Sequence, residues 1–89
     1  MVEEIDNYQF SQKFRKQYRA LFKEIQNAFD KKLALFLGDR SHPSLRVKRI
    51  LGTKSRWEGS VTMSYRFTFE FLGDTVFFRT IGTHDILKK

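Results

Sequence analysis

The spacing of apolar residues changes once along this chain, from a period near 3.6 to a period of two, and that change limits the layers the chain can build. Phe14, Tyr18, Leu21, Ile25, Phe29, Leu33 and Phe36 recur three and four positions apart. Such a stripe buries one side of a helix. Later, Val61, Met63, Tyr65, Phe67, Phe69 and Phe71 alternate with Thr62, Ser64, Arg66, Thr68 and Glu70. That alternation belongs to a strand with one face on a core.

The helical part runs from Ser11, a candidate N-cap, to Leu37, where Gly38 and Asp39 can end the last turn and Pro43 forbids continuation. One straight helix of this length would extend about 40 Å. A compact domain of this size has a radius of gyration of only about 12 Å. Two packed helices are therefore expected, with the break placed at Arg19-Ala20-Leu21-Phe22, although neither Gly nor Pro marks it. Gly73-Asp74 reads as a two-residue hairpin turn into a strand from Thr75 to Ile81. Two weaker strands precede, from Arg46 to Leu51 and from about Trp57 to Val61, around Gly52-Thr53-Lys54-Ser55. The expected fold is one α+β domain over residues 1–89: an N-terminal helical hairpin packed on a small four-stranded antiparallel sheet.

Charge narrows the partners. Seventeen Lys and Arg against ten Asp and Glu leave a net +7, which favours phosphate-rich or acidic partners, though an ordinary basic domain has the same balance. The absence of cysteine removes disulfide frameworks and Cys-ligated zinc and fits a reducing compartment. The spacing of His42 and His84 forms no metal motif, so no metal or cofactor is expected. No apolar run is long enough for a bilayer, and the acidic start Met1-Val2-Glu3-Glu4-Ile5-Asp6 lacks the order of a signal peptide. A cytoplasmic protein is expected.

Several residues could carry chemistry on a polyanion. His84 follows the last strand, and an imidazole gives or takes a proton at neutral pH; by itself it is equally a surface histidine closing a strand. Arg66 lies on the polar face of the strongest strand, where its fork of donors suits a phosphate or a pairing with Glu58 or Glu70. Arg79 shares its strand face with Phe77 and Ile81, and reaches the same site or lies at the sheet edge. Arg46, Lys48, Arg49, Lys54 and Arg56 form a basic cluster for RNA backbone contacts, or a solvated strand surface. His42, in the loop before Pro43, is a further candidate contact; Trp57 could stack on a base but reads first as packing, and Asp85 could orient the imidazole but reads first as a cap on a final turn.

Four segments in order carry a resemblance: residues 42–50, His-Pro-Ser-Leu-Arg-Val-Lys-Arg-Ile; residues 57–60, Trp-Glu-Gly-Ser; residues 65–69, Tyr-Arg-Phe-Thr-Phe; and Gly82-Thr83-His84. Together they resemble the RelE/ParE superfamily of bacterial toxins, most of all its YafQ-type mRNA interferases. The resemblance implies a ribosome-dependent endoribonuclease that cuts mRNA by 2′-hydroxyl attack. It implies His84 and Arg66 as the catalytic pair, mRNA and ribosome as partners, and a cognate antitoxin that silences the toxin. Operator DNA would be met only through the antitoxin complex. A toxin of the ParE kind, which binds DNA gyrase without cutting nucleic acid, shares the fold and needs no histidine. A catalytically silent basic domain of the same fold is the third alternative. The chain departs from YafQ-like members at Tyr65-Arg66, where they carry an acidic-aromatic pair, and at its end, which lacks their aromatic after the histidine.

Overall fold

The computed structural model describes residues 7–53 and 55–87, and leaves the side chains of His84 and Leu87 undescribed. Ser11 caps helix α1 (Gln12–Arg19), its Oγ accepting from the Phe14 N–H at 2.9 Å. Helix α2 (Lys23–Gly38) follows after the break expected around Ala20. Side chains across the two helices stabilise that break in place of a glycine. The Gln26 amide donates to the Tyr18 carbonyl at 2.8 Å, and the Tyr18 hydroxyl donates to Asp30 Oδ1 at 2.8 Å. The end at Gly38 is closed by the Asp39 N–H, which donates to the Leu35 carbonyl at 2.7 Å.

Burial, and after it the bond to Asp30, raises the Tyr18 phenol above its ordinary 10.0. A pKa raised by folding means a contribution that is full below the unfolded value and fades as pH rises through the folded one. Tyr18→Phe is therefore expected to flatten the alkaline side of the stability curve. Thermal melts between about pH 9 and about pH 11 check this, and equal slopes in both proteins would remove the role.

Among the described residues the sheet has five strands in the order β1-β5-β4-β3-β2, one more than expected. They are β1 (Asn7–Phe10), β2 (Lys48–Arg49), β3 (Arg56–Ser60), β4 (Tyr65–Leu72) and β5 (Thr75–Thr83). The extra strand, β1, is four residues long and pairs in parallel with β5, far along the chain, so no hairpin signal announces it. The remaining pairs are antiparallel, and Gly73-Asp74 turns β4 into β5 as expected. Several boundaries move, and β5 runs two residues past its expected end at Ile81. The first sheet segment shrinks to two residues, and β4 starts at Tyr65, because residues 61–64 form the hairpin loop that joins it to β3. Within that loop Val61 is buried while Met63 is 91% exposed, which ends the alternation expected there.

A β-bulge sits in β5. Phe69 pairs with Phe78 and Thr68 with Thr80, leaving Arg79 as the extra residue. The bulge lets Val76, Phe78 and Ile81 all reach the core, which strict alternation does not allow. Helix α1 satisfies the displaced backbone groups: the Ser11 N–H donates to Phe78 O at 2.9 Å, Ser11 Oγ donates to Arg79 O at 2.7 Å, and the Ile81 N–H donates to Gln17 Oε1 at 3.0 Å.

The core lies between the helices and one sheet face. Phe29 and Phe36 of α2 meet Phe67, Phe69 and Phe78 with ring centroids 4.9–6.3 Å apart, the range in which aromatic pairs attract. Gly59 makes room for this packing, since a Cβ there would lie 2.3 Å from Phe67 Cζ. Among the described residues, no helix is long and apolar enough to cross a membrane.

Candidate functional site

The face of the sheet away from the helices is polar, and strand register sets out its rows. Cross-strand partners share a face. One row therefore reads Arg56, Glu70, Phe77; the next Lys48, Glu58, Thr68, Thr80; the third Ser60, Arg66, Gly82. Glu58, Ser60 and Thr68 are buried within this layer. Thr68 and Thr80 join hydroxyl to hydroxyl across β4 and β5.

Two walls make a cleft of about 320 Å³ on this face. Ile50, Leu51 and Thr53, from the loop between β2 and β3, form one wall, and Ile86 belongs to the other. Ile86 lies in the 3-10 turn His84–Leu87 that follows β5. That turn folds back on the sheet, and its Ile86 Cγ2 would be only 2.8 Å from a Cβ at Gly82. Lys13, Arg56 and Arg79 supply the charge, and no carboxylate lines the cleft among the described residues. Arg79 is steered by Glu70, whose Oε1 accepts from Nη1 at 2.8 Å, and remains about a third exposed. Lys13 and Arg56 are exposed, so the cleft presents cations to a polyanion although Arg79 shares its charge with Glu70.

Arg66 reaches the same face by a different use of its donors. Its Nη1 donates to the Thr62 carbonyl and to the Tyr65 carbonyl at 2.9 Å, closing the loop between β3 and β4. Its Nε stands 3.9 Å from Glu58 Oε1. The side chain is 15% exposed, and its guanidinium braces the hairpin. Its cross-strand partner Gly82 lies two residues before His84. The backbone thus brings His84 to the end of the sheet that holds Arg66. Asp85 falls inside the final turn and lines a side hollow with Lys13, Gln17 and Thr80.

The basic cluster read as one unit is divided by the sheet. Lys48 pairs with Glu58 on the cleft side, whereas Arg49 pairs with Trp57 on the helix side and lies 5.9 Å over its indole ring. Arg46 follows the 3-10 turn Pro43–Leu45 and is exposed. His42 begins that turn, its Nδ1 accepting from the Ser44 N–H at 3.2 Å. His42 and Arg46 line a hollow on the helix side, away from the cleft. Lys54 lies outside the described residues. Lys13, Thr68 and Thr80 were not singled out by sequence reasoning. Only the position of α1 against β5 brings Lys13 to the cleft, and no local pattern announces it.

No family model matches the chain, and no curated protein matches it. Solved structures do. YafQ from E. coli superposes with a TM-score of 0.77 at 14% identity, over 97% of this chain and 100% of that one. RelE in the RelB-RelE antitoxin-toxin complex from Methanococcus jannaschii gives 0.70 at 20% identity, over 88% and 92%. A YoeB/ParE toxin from Agrobacterium tumefaciens gives 0.70 at 10% identity, over 89% and 99%. The class is therefore an α+β domain with two helices on a mostly antiparallel sheet. More particularly, its fold is that of the RelE/ParE toxins, near YafQ and RelE, as the sequence resemblance implied.

Proposed function

We propose that this protein is the toxin of a toxin-antitoxin system and a ribosome-dependent endoribonuclease acting on mRNA. What supports the reading is the cleft lined by Lys13, Arg56 and Arg79, with the backbone of His84 opening the turn whose Ile86 lines that cleft. The substrate supplies its own nucleophile. A base takes the 2′-hydroxyl proton, the 2′-oxygen bonds to phosphorus, and the bond to the 5′-oxygen breaks as that oxygen gains a proton. The products carry a 2′,3′-cyclic phosphate and a 5′-hydroxyl. In this reading His84 moves a proton and Arg66 meets charge growing on the phosphorane. Lys13, Arg56, Arg79 and Lys48 hold flanking phosphates. The partners are mRNA, the ribosome and a cognate antitoxin that covers the cleft, with operator DNA reached through that complex.

Primer extension on a reporter mRNA from induced cells tests the reading. Discrete cuts are expected that vanish with His84→Ala and when translation of the reporter is blocked. Growth arrest without cuts would move the assignment to a gyrase-binding toxin of the ParE kind. Neither cuts nor arrest would leave a silent domain of this fold.

A further inference from the structure

Behind the cleft, on the helix side of the sheet, a second hollow of about 430 Å³ lies where the loop after α2 passes over β3 and β4. Its floor is aromatic, made by Trp57, Phe69 and Phe71, and its rim carries Arg40, His42 and Arg46. The Arg40 guanidinium carbon stands 4.7 Å from the centre of the Phe71 ring, and Trp57 meets Phe71 edge-on at 6.2 Å. Flat rings beside guanidinium groups form a surface that stacks on other flat rings.

The polar groups at the rim are arranged for an anion. His42 accepts from the Ser44 N–H at Nδ1, so its neutral imidazole carries the proton on Nε2 and presents a donor there. Arg46 is held at φ 49° and ψ 46°, the left-handed region that disfavours a residue with a Cβ. Asp39 is engaged by Ser41, whose Oγ and N–H donate to its Oδ1 at 2.6 and 3.1 Å. Those bonds, the hydroxyl first, hold its carboxyl below its ordinary 3.8. No carboxylate lines the hollow among the described residues.

The hollow and the cleft stand back to back across the β2–β3 edge of the sheet. Arg56 lines the cleft and its neighbour Trp57 lines the hollow. Lys48 and Arg49 divide between the same two sides. Among the described residues strand β2 is the last in the sheet, so a chain of phosphates crossing this edge meets cations on both sides. We propose that the hollow receives one unpaired nucleotide of the RNA strand whose neighbouring residues occupy the cleft, its base against Trp57 and the Arg40 guanidinium that covers Phe71, and its phosphate at Arg46. The proposal rests on the ribonuclease reading and adds to it a base-stacking site on the opposite face. The shared cationic edge favours RNA over an acidic peptide, because a peptide docked in the hollow would leave the run of charge toward the cleft unused.

Trp57 is the one tryptophan of the chain, so its fluorescence reports on the hollow it lines. The test titrates the full chain with an end-labelled oligouridylate of about nine nucleotides, reading label anisotropy and Trp57 emission together. Quenching with the same midpoint as the anisotropy is expected. Arg46→Gly removes the cation while suiting the backbone, and it should weaken both signals about five- to tenfold and lower the salt slope by about one. Phe71→Leu should reduce the quenching and leave the salt slope unchanged. Binding by anisotropy without quenching, and without effect of Arg46→Gly, would confine RNA to the cleft and overturn the inference while the functional reading stands. Quenching by an acidic peptide but not by the oligonucleotide would make the hollow a protein site and overturn it also. Absence of both signals would overturn it too, and cleavage in cells then judges the ribonuclease reading separately.

Discussion

Phe78→Ala is expected to lower stability by about 3–5 kcal/mol, the cost of emptying an aromatic site whose walls cannot collapse. Phe78 is fully buried, and its ring faces Phe10 at 5.0 Å, Phe14 at 5.9 Å, Phe36 at 5.5 Å and Phe67 at 5.9 Å. These neighbours belong to β1, both helices and β4, so no single element can move to fill the void. A domain of this length has about 5–13 kcal/mol in total, so the loss is a large share of it. Urea unfolding should show a lower midpoint with an unchanged slope. Phe77→Ala is the control, because that half-buried ring faces the cleft and should cost less than about 1.5 kcal/mol. Equal losses for the two variants would mean that β5 does not have the register described.

Much of the fold was legible because the signals were local. The change of period at the end of the helices, the Ser11 cap, the end at Gly38 and the Gly73-Asp74 turn each depend on a few adjacent residues. The features that escaped depend on residues far apart. Strand β1 exists because Tyr8 and Phe10 pair beside Val76 and Phe78, nearly seventy positions later. The bulge at Arg79 is held by Ser11 and Gln17 of α1, so alternation along β5 could not announce it.

The candidate site was less legible for the same reason. Arg46, Lys48 and Arg49 looked like one patch because they are close in sequence, but pairing puts Lys48 on the sheet face that bears the cleft and Arg49 on the Trp57 side. Arg66 was correctly placed on the polar face, yet its bonds to the Thr62 and Tyr65 carbonyls could not be foreseen. Conversely Lys13, one cation among many on the helices, reaches the cleft because the bulge fixes the start of α1 against β5. Charge identifies a class of partner, and only register decides which charges act together.

His84→Ala and Arg66→Ala are both expected to abolish most mRNA cleavage, for reasons that a second measurement separates. Loss of a proton-transfer group costs about 10²–10⁴ in rate, and loss of a donor to a developing oxyanion about 10²–10³. Arg66→Ala should also lower stability by about 1–3 kcal/mol, because two loop carbonyls lose a charged donor and Glu58 stays buried without its cation. Cleavage must therefore be measured at a temperature where each variant is fully folded by circular dichroism. If the two groups act on one transition state, the double variant should lose much less than the product of the single losses. The pH profile adds a direct sign of His84: a limb in the range where imidazole titrates should be present in the wild type and missing from His84→Ala. If Arg66→Ala cleaves normally once folded, Arg66 is a brace for the hairpin alone. The phosphorane charge must then be met by the cations of the cleft, with Arg79, fixed by the bulge and steered by Glu70, the next residue to replace.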